Sequence, residues 1–244
     1  MPWMTVFLDL PAGPADAAAS FWGQVTGYQL ERAADGGPAA LLPPSGDSYL
    51  RVRLLPGGAG GCGLRLHVDT GAESLGAVAD RARAGGAQVG GMRPDGFTAH
   101  SPGGFPFGVT AWDGERAVPL PLAGQAGGVS RVDTLCLDVP PGGFDQELAF
   151  WTALTGQSTR PAPVPGYAYL DGPAGWPARM LLQRREQAGP GDQVRGHVDF
   201  GCTDPGAQAR HESLGARLVA RRQYWTVLTD PAGNEYCLID RGPV

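Results

Sequence analysis

The residues best suited to chemistry come as a spaced triplet that occurs twice. Arg65, His67 and Asp69 stand at alternate positions, and Arg195, His197 and Asp199 repeat them 130 residues later. In an extended strand, alternate side chains share a face. Each triplet therefore presents a guanidinium, an imidazole and a carboxylate together, with Leu64, Leu66 and Val68 on the opposite face of the first copy. An imidazole titrates near neutral pH and moves protons in either direction, which makes His67 and His197 the candidate catalytic acid–base residues. Guanidinium groups bind carboxylates or phenolates through paired hydrogen bonds. Tyr49, Arg51 and Arg53 alternate upstream of the first triplet, and Arg179, Leu181 and Gln183 upstream of the second. The candidate ligand-binding set is therefore Arg51, Arg53, Arg65, Asp69, Arg179, Gln183, Arg195 and Asp199, joined by Tyr169 and Trp176 from the irregular part of the second half. A structural reading stands beside this one. Each Arg and Asp could form a pair between modules, with the His held by hydrogen bonds. The double occurrence favours structure, since one catalytic centre needs no second copy. His211, beside Glu212 on a helix, is expected to be solvated.

The elements that position these residues are themselves repeated. An offset of 129 carries Leu8-Asp9 onto Leu137-Asp138, Phe21-Trp22 onto Phe150-Trp151, Thr26-Gly27 onto Thr155-Gly156, and Pro102 and Gly104 onto Pro231 and Gly233. A register held along the whole chain marks a duplication. A weaker spacing of 59 residues, from Thr26-Gly27 to Gly85-Gly86, divides each half again. Each module reads as a short strand, a helix ending at or near a glycine, and three strands joined by Gly/Pro turns. The helices are expected at Ala15–Val25, Glu73–Ala84, Phe144–Thr155 and Pro205–Leu214. Phe21, Trp22, Phe150 and Trp151 read as packing residues. The expected boundaries are 1–117 for the first domain, 118–128 for a linker rich in Pro, Gly and Ala, and 129–244 for the second domain.

Composition excludes several classes. Gly and Pro make up 62 of 244 residues, but 42% are hydrophobic, enough to bury a core. The net charge is −5, and all 19 basic residues are arginine with no basic run, so no nucleic-acid partner is expected. No stretch approaches the roughly 20 apolar residues of a membrane span, and Met1–Leu10 lacks the features of a signal peptide. Cys62, Cys136, Cys202 and Cys237 form no C-x-x-C pair. A cytoplasmic protein with a small-molecule ligand and no membrane partner is the expectation.

The doubled βαβββ pattern, with Leu148-Ala-Phe-Trp-x-x-Leu-Thr-Gly156, the two Arg-x-His-Val-Asp segments and Thr229-Asp-Pro-Ala-Gly-Asn-Glu-Tyr-Cys237, resembles the vicinal oxygen chelate superfamily of glyoxalases, bleomycin-resistance proteins and extradiol dioxygenases. The first half carries Ser20-Phe-Trp-x-x-Val-Thr-Gly27 and a degraded Ser101-Pro-Gly-Gly104 turn. The resemblance implies an α+β fold, with each half a curved mixed sheet around a cleft, its concave side binding the ligand. It also implies metal-ligand positions on four strands of each half. These fall at Thr5 or Phe7, Arg53, His67 and Gly108 in the first half, and at Thr134 or Cys136, Gln183, His197 and Cys237 in the second. Neither set includes the expected carboxylates, and Arg53 would repel a cation. The expectation is therefore no metal and no cofactor. The main functional reading is metal-independent binding of a small aromatic or acidic molecule, as in drug-binding resistance proteins of this fold. The alternative is a cofactor-free isomerase, lyase or cyclase of natural-product metabolism with a His acid/base, and a metal-dependent glyoxalase or dioxygenase ranks last. Four linked modules allow a monomer or a homodimer.

Overall fold

The computed structural model describes residues 1–244 except 12, 14, 35, 56–59, 163, 173, 174, 188, 190 and 191. The first half runs β1 (Trp3–Pro11), α1 (Ala15–Thr26), β2 (Gln29–Glu31), β3 (Ala39–Leu42), β4 (Leu50–Leu55), β5 (Gly61–Val68), α2 (Leu75–Ala84), β6 (Gln88–Arg93), β7 (Gly96–His100) and β8 (Pro106–Ala111). After β9 (Leu122–Ala123), the order recurs as β10 (Val129–Val139), α3 (Phe144–Thr155), β11 (Ser158–Pro161), β12 (Tyr167–Asp171), β13 (Arg179–Arg184), β14 (Arg195–Cys202), α4 (Ala207–Ser213), β15 (Arg217–Arg221), β16 (Trp225–Thr229) and β17 (Glu235–Asp240). The architecture is α+β: four βαβββ modules in two tandem halves. One sheet has the order β2-β3-β4-β1-β5-β8-β7-β6, the other β11-β12-β13-β10-β14-β17-β16-β15, with β9 added to β10. Both sheets are mixed. The first and last strands of a module run parallel, as in β1–β4 and β5–β8, while the hairpins within modules are antiparallel.

The helices form where apolar side chains recur on one face. Ala18, Phe21, Trp22 and Val25 are buried on α1, and Glu147, Phe150, Trp151 and Leu154 occupy the corresponding stripe of α3. α3 stops at Gly156, whose left-handed conformation (φ 70°) lets its N–H reach the Thr152 carbonyl. No described helix is long and apolar enough to cross a membrane.

By contacts the chain forms two compact units, and each draws on both halves of the sequence. The first comprises Met1–Thr5, Gly63–Arg116 and Leu135–Gly196; the second comprises Val6–Cys62, Ala117–Thr134 and His197–Val244.

In the first unit, Phe105 and Phe107 pack edge-on against Trp151 at centroid distances of 6.1 and 5.2 Å. The Trp151 indole N–H donates to Glu147 Oε1 at 2.9 Å, and the Gly103 N–H donates to Glu147 Oε2 at 2.9 Å. Burial pushes this carboxyl above the usual range.

In the second unit, Trp22 stacks on Phe200 at 6.2 Å, and its indole donates to Asp230 Oδ2 at 2.9 Å. Asp230 also accepts the Ala232 and Asn234 backbone N–H groups, so the Asp-Pro-Ala-Gly-Asn turn is structural, as its sequence implies. The 129-residue offset places Ser101 where the second half has Asp230, and Ala18 where it has Glu147. Ser101 has no carboxylate to offer an indole, and Glu147 supplies it from the helix instead. Glu147→Ala is expected to destabilise the protein by about 2 kcal/mol, because two buried N–H donors lose their acceptor. Urea unfolding measures this directly, and a loss under about 0.5 kcal/mol contradicts the assignment.

His211 departs from the sequence reading. It is fully buried rather than solvated, because α4 turns Ala207 and His211 inward together. Its ring meets Phe200 edge-on at 5.2 Å, and Nδ1 lies 3.0 Å from the Tyr236 hydroxyl.

Candidate metal centre

The second sheet gathers donor atoms of three kinds. His197 and Asp199 alternate on β14 and share a face, with His197 Nε2 3.3 Å from Asp199 Oδ1. β17 runs parallel alongside and places Cys237 opposite Asp199. The Cys237 thiol hydrogen-bonds both His197 and Asp199, and burial pushes its pKa up to about 11, so it stays protonated near neutrality. On β10, Cys136 Sγ lies 3.8 Å from Gln183 Oε1 on β13.

The gathering of His197, Asp199 and Cys237 in the second unit overturns the expectation of no metal and no cofactor. A sulfur, an imidazole nitrogen and a carboxylate oxygen form a recognised ligand set for a borderline-soft divalent ion, and three protein ligands leave a position open for substrate. Asp199 is buried, with its Oδ1 directed at the His197 ring. Taken at one residue per strand, the ligand positions include no carboxylate. Strand alternation supplies Asp199 two residues beyond His197. The metal-independent reading of the function falls with the same finding.

The first sheet is built differently. Thr5 Oγ1 lies 2.9 Å from His67 Nε2, and Glu115 Oε1 lies 3.7 Å from His67 Nδ1. Glu115 sits 48 residues beyond His67 with no motif around it, so no spacing pointed to it. Arg53 forms two 2.8 Å hydrogen bonds with Asp9 and lies over the Phe7 ring at 5.0 Å. Arg51 on β4 and Arg65 on β5 are each partly exposed. Asp69 is exposed just past the end of β5, where it accepts the Gly71 N–H at 3.0 Å. The two triplets are therefore not equivalent: Asp199 is buried within a strand and Asp69 caps a turn.

The remaining candidates fall in the second half. Arg179 and Gln183 share the open face of β13 with Leu181, while Met180 and Leu182 are fully buried beneath. Tyr169 has two cations against its ring, with the Arg160 and Arg179 guanidinium carbons 4.7 and 4.3 Å from its centroid. Arg195 is exposed at the start of β14. Trp176 is buried, and its indole donates to the Met1 carbonyl at 2.8 Å.

Four βαβββ modules in two mixed sheets, one bearing a cluster of metal-ligating side chains, define a protein of the vicinal oxygen chelate class. Residues 5–110 and 134–239 both match the family model described as a glyoxalase-like domain, and the chain belongs to that family as a tandem member. No match was found among curated protein sequences. Similar solved structures include the Mn(II)-bound glyoxalase from Novosphingobium aromaticivorans, 17% identical over 98% of this chain and 82% of that one, with a TM-score of 0.67. Another is 2,2',3-trihydroxybiphenyl 1,2-dioxygenase from the dibenzofuran-degrading Sphingomonas wittichii, also 17% identical, covering 96% of this chain and 88% of that one, with a TM-score of 0.65. A mutant of 4-hydroxymandelate synthase from Streptomyces coelicolor is 13% identical, covering 100% and 95%, with a TM-score of 0.62. At these identities the likeness establishes the fold.

Proposed function

We propose that this protein is a divalent-metal-dependent enzyme acting on a small organic molecule, with the ion held by His197, Asp199 and Cys237. The observation that carries the reading is the convergence of those three side chains on β14 and β17 of the second unit. The Mn(II)-bound state of a structurally similar glyoxalase supports it. When bound, the ion supplies Lewis acidity to a substrate oxygen. The protein's own part is positioning. β14 and β17 run side by side and hold the imidazole, the carboxylate and the thiol together, and the thiol gives up its proton when an ion binds. A thiolate among the ligands favours a zinc-like ion over a hard one such as manganese. The halves are taken as 1–117 and 129–244, joined by 118–128.

Cobalt(II) is a direct probe, because thiolate ligation gives a near-ultraviolet charge-transfer band. The chelator-treated protein is expected to bind one cobalt ion and show this band. Cys237→Ser should abolish the band, and Asp199→Asn should weaken cobalt affinity on the order of 100-fold. Cobalt binding that is absent, or unchanged in both variants, refutes the assignment.

A further inference from the structure

A cavity of about 240 Å³ lies within the second unit, lined by the β15–β16 turn, the start of α4 and the end of β17. Asp204, Gln208, Arg222, Tyr224, Leu238 and Asp240 contribute to its walls. Alternation along β17 turns Leu238 and Asp240 away from the face that carries Cys237, so the metal centre does not use this space.

Local bonds hold the walls in place. The Arg222 N–H donates to the Trp225 carbonyl at 2.8 Å and closes the turn, and the Asp240 N–H donates to the Tyr224 carbonyl at 2.9 Å. The Arg221 guanidinium donates to Gln208 Oε1 at 3.2 Å, which ties the turn to α4. Asp204 is buried, and its Oδ1 accepts the Gly206 N–H at 2.8 Å.

The cavity therefore carries both signs of charge. Among the described residues, the Arg222 guanidinium and the Asp240 carboxylate have no hydrogen-bond or ion-pair partner, and they do not pair with each other. The Tyr224 side chain is 54% exposed, so its ring leaves apolar surface bare beside them. Opposite charges that line one cavity without meeting suit a ligand that carries both signs itself. The volume falls below the roughly 300 Å³ at which sites for drug-sized ligands begin, which selects a smaller metabolite.

We infer that this cavity binds a free α-amino acid with an aromatic side chain. Arg222 takes the carboxylate through paired N–H bonds, Asp240 takes the ammonium with the buried Asp204 adding negative potential, and the Tyr224 ring and Leu238 cover the side chain. The site is independent of the metal centre, and its ligand is not required to be the substrate.

Three probes that share a ring and differ in charge test it: L-phenylalanine, 3-phenylpropanoate and 2-phenylethylamine. Titration calorimetry on chelator-treated protein keeps a bound ion from taking the amino acid. L-Phenylalanine is expected to bind about tenfold or more tighter than either singly charged probe. Arg222→Gln should erase its advantage over 2-phenylethylamine, and Asp240→Asn its advantage over 3-phenylpropanoate. Both positions are exposed, so the fold is expected to hold in each variant. No binding of L-phenylalanine, equal affinities for the three probes, or advantages that survive both substitutions overturns the site.

Discussion

Asp133→Ala is expected to cost about 3–5 kcal/mol, the usual range for removing one partner of a buried ion pair. Asp133 is completely buried on β10 and accepts four hydrogen bonds. Two come from Arg241, at 2.5 and 2.7 Å, one from the Val244 N–H at 2.8 Å and one from the Thr134 hydroxyl at 3.0 Å. Alanine would leave the Arg241 guanidinium without its carboxylate and would release the Arg241–Val244 segment from the sheet. Against a typical total of 5–15 kcal/mol, such a loss moves the denaturation midpoint substantially. Urea unfolding of the variant and of Asp133→Ala/Arg241→Ala separates the pair from the rest. The double variant is expected to be less destabilised than the sum of the two single variants. A single-variant loss under about 1 kcal/mol contradicts the role given to Asp133.

The second large effect is acid lability at His211. Burial, with a smaller contribution from Arg210, lowers its pKa from 6.5 to about 3. A histidine whose folded pKa is depressed binds its proton more readily in the unfolded chain. Its contribution to stability is therefore complete above about pH 6.5 and is lost as pH falls towards 3. At about 1.36 kcal/mol for each tenfold change in proton affinity, the whole loss approaches about 5 kcal/mol. His211→Phe keeps an aromatic ring against Phe21, Phe200 and Tyr236 and removes the titration. It should be about 1 kcal/mol less stable than the parent at pH 7, because the Tyr236 hydroxyl loses its partner. Between pH 6.5 and 4, however, its stability should fall less steeply than the parent's. Parallel curves would show that His211 does not drive the acid loss.

Both effects reside in residues that carried no sequence signal for their roles. Asp133 lies on the strand that carries Thr134 and Cys136, and its partner is 108 positions away. His211 stands next to Glu212 on a short helix, and adjacency to a charged residue reads as exposure when only neighbours along the chain are visible. Each role is set by a contact at long range, which periodicity does not report.

What the chain itself determined is the plan of repetition. The 129-residue offset, the Phe-Trp pairs at helical spacing and the turn glycines specify four βαβββ modules and an α+β fold, because burying one face of each element is a local requirement. α3 begins and ends where its pattern predicts, at Phe144 and Thr155. The centre was legible in parts: His197 and Cys237 stood out as ligand positions and Asp199 as a ligand-binding residue, but not as a donor beside them. Tertiary structure decided three things. It drew each compact unit from both halves of the sequence, so that the Trp of one half is served by the turn of the other. It gave Trp151 a helix carboxylate where Trp22 uses a turn. It also separated two identical triplets: β5 stops at Val68 and leaves Asp69 in solvent, whereas β14 runs on to Cys202 and buries Asp199 beside His197. The physical reason is common to all three. A side chain's type and spacing define what it can do, but its surroundings, assembled from distant segments, define which of those roles has a partner.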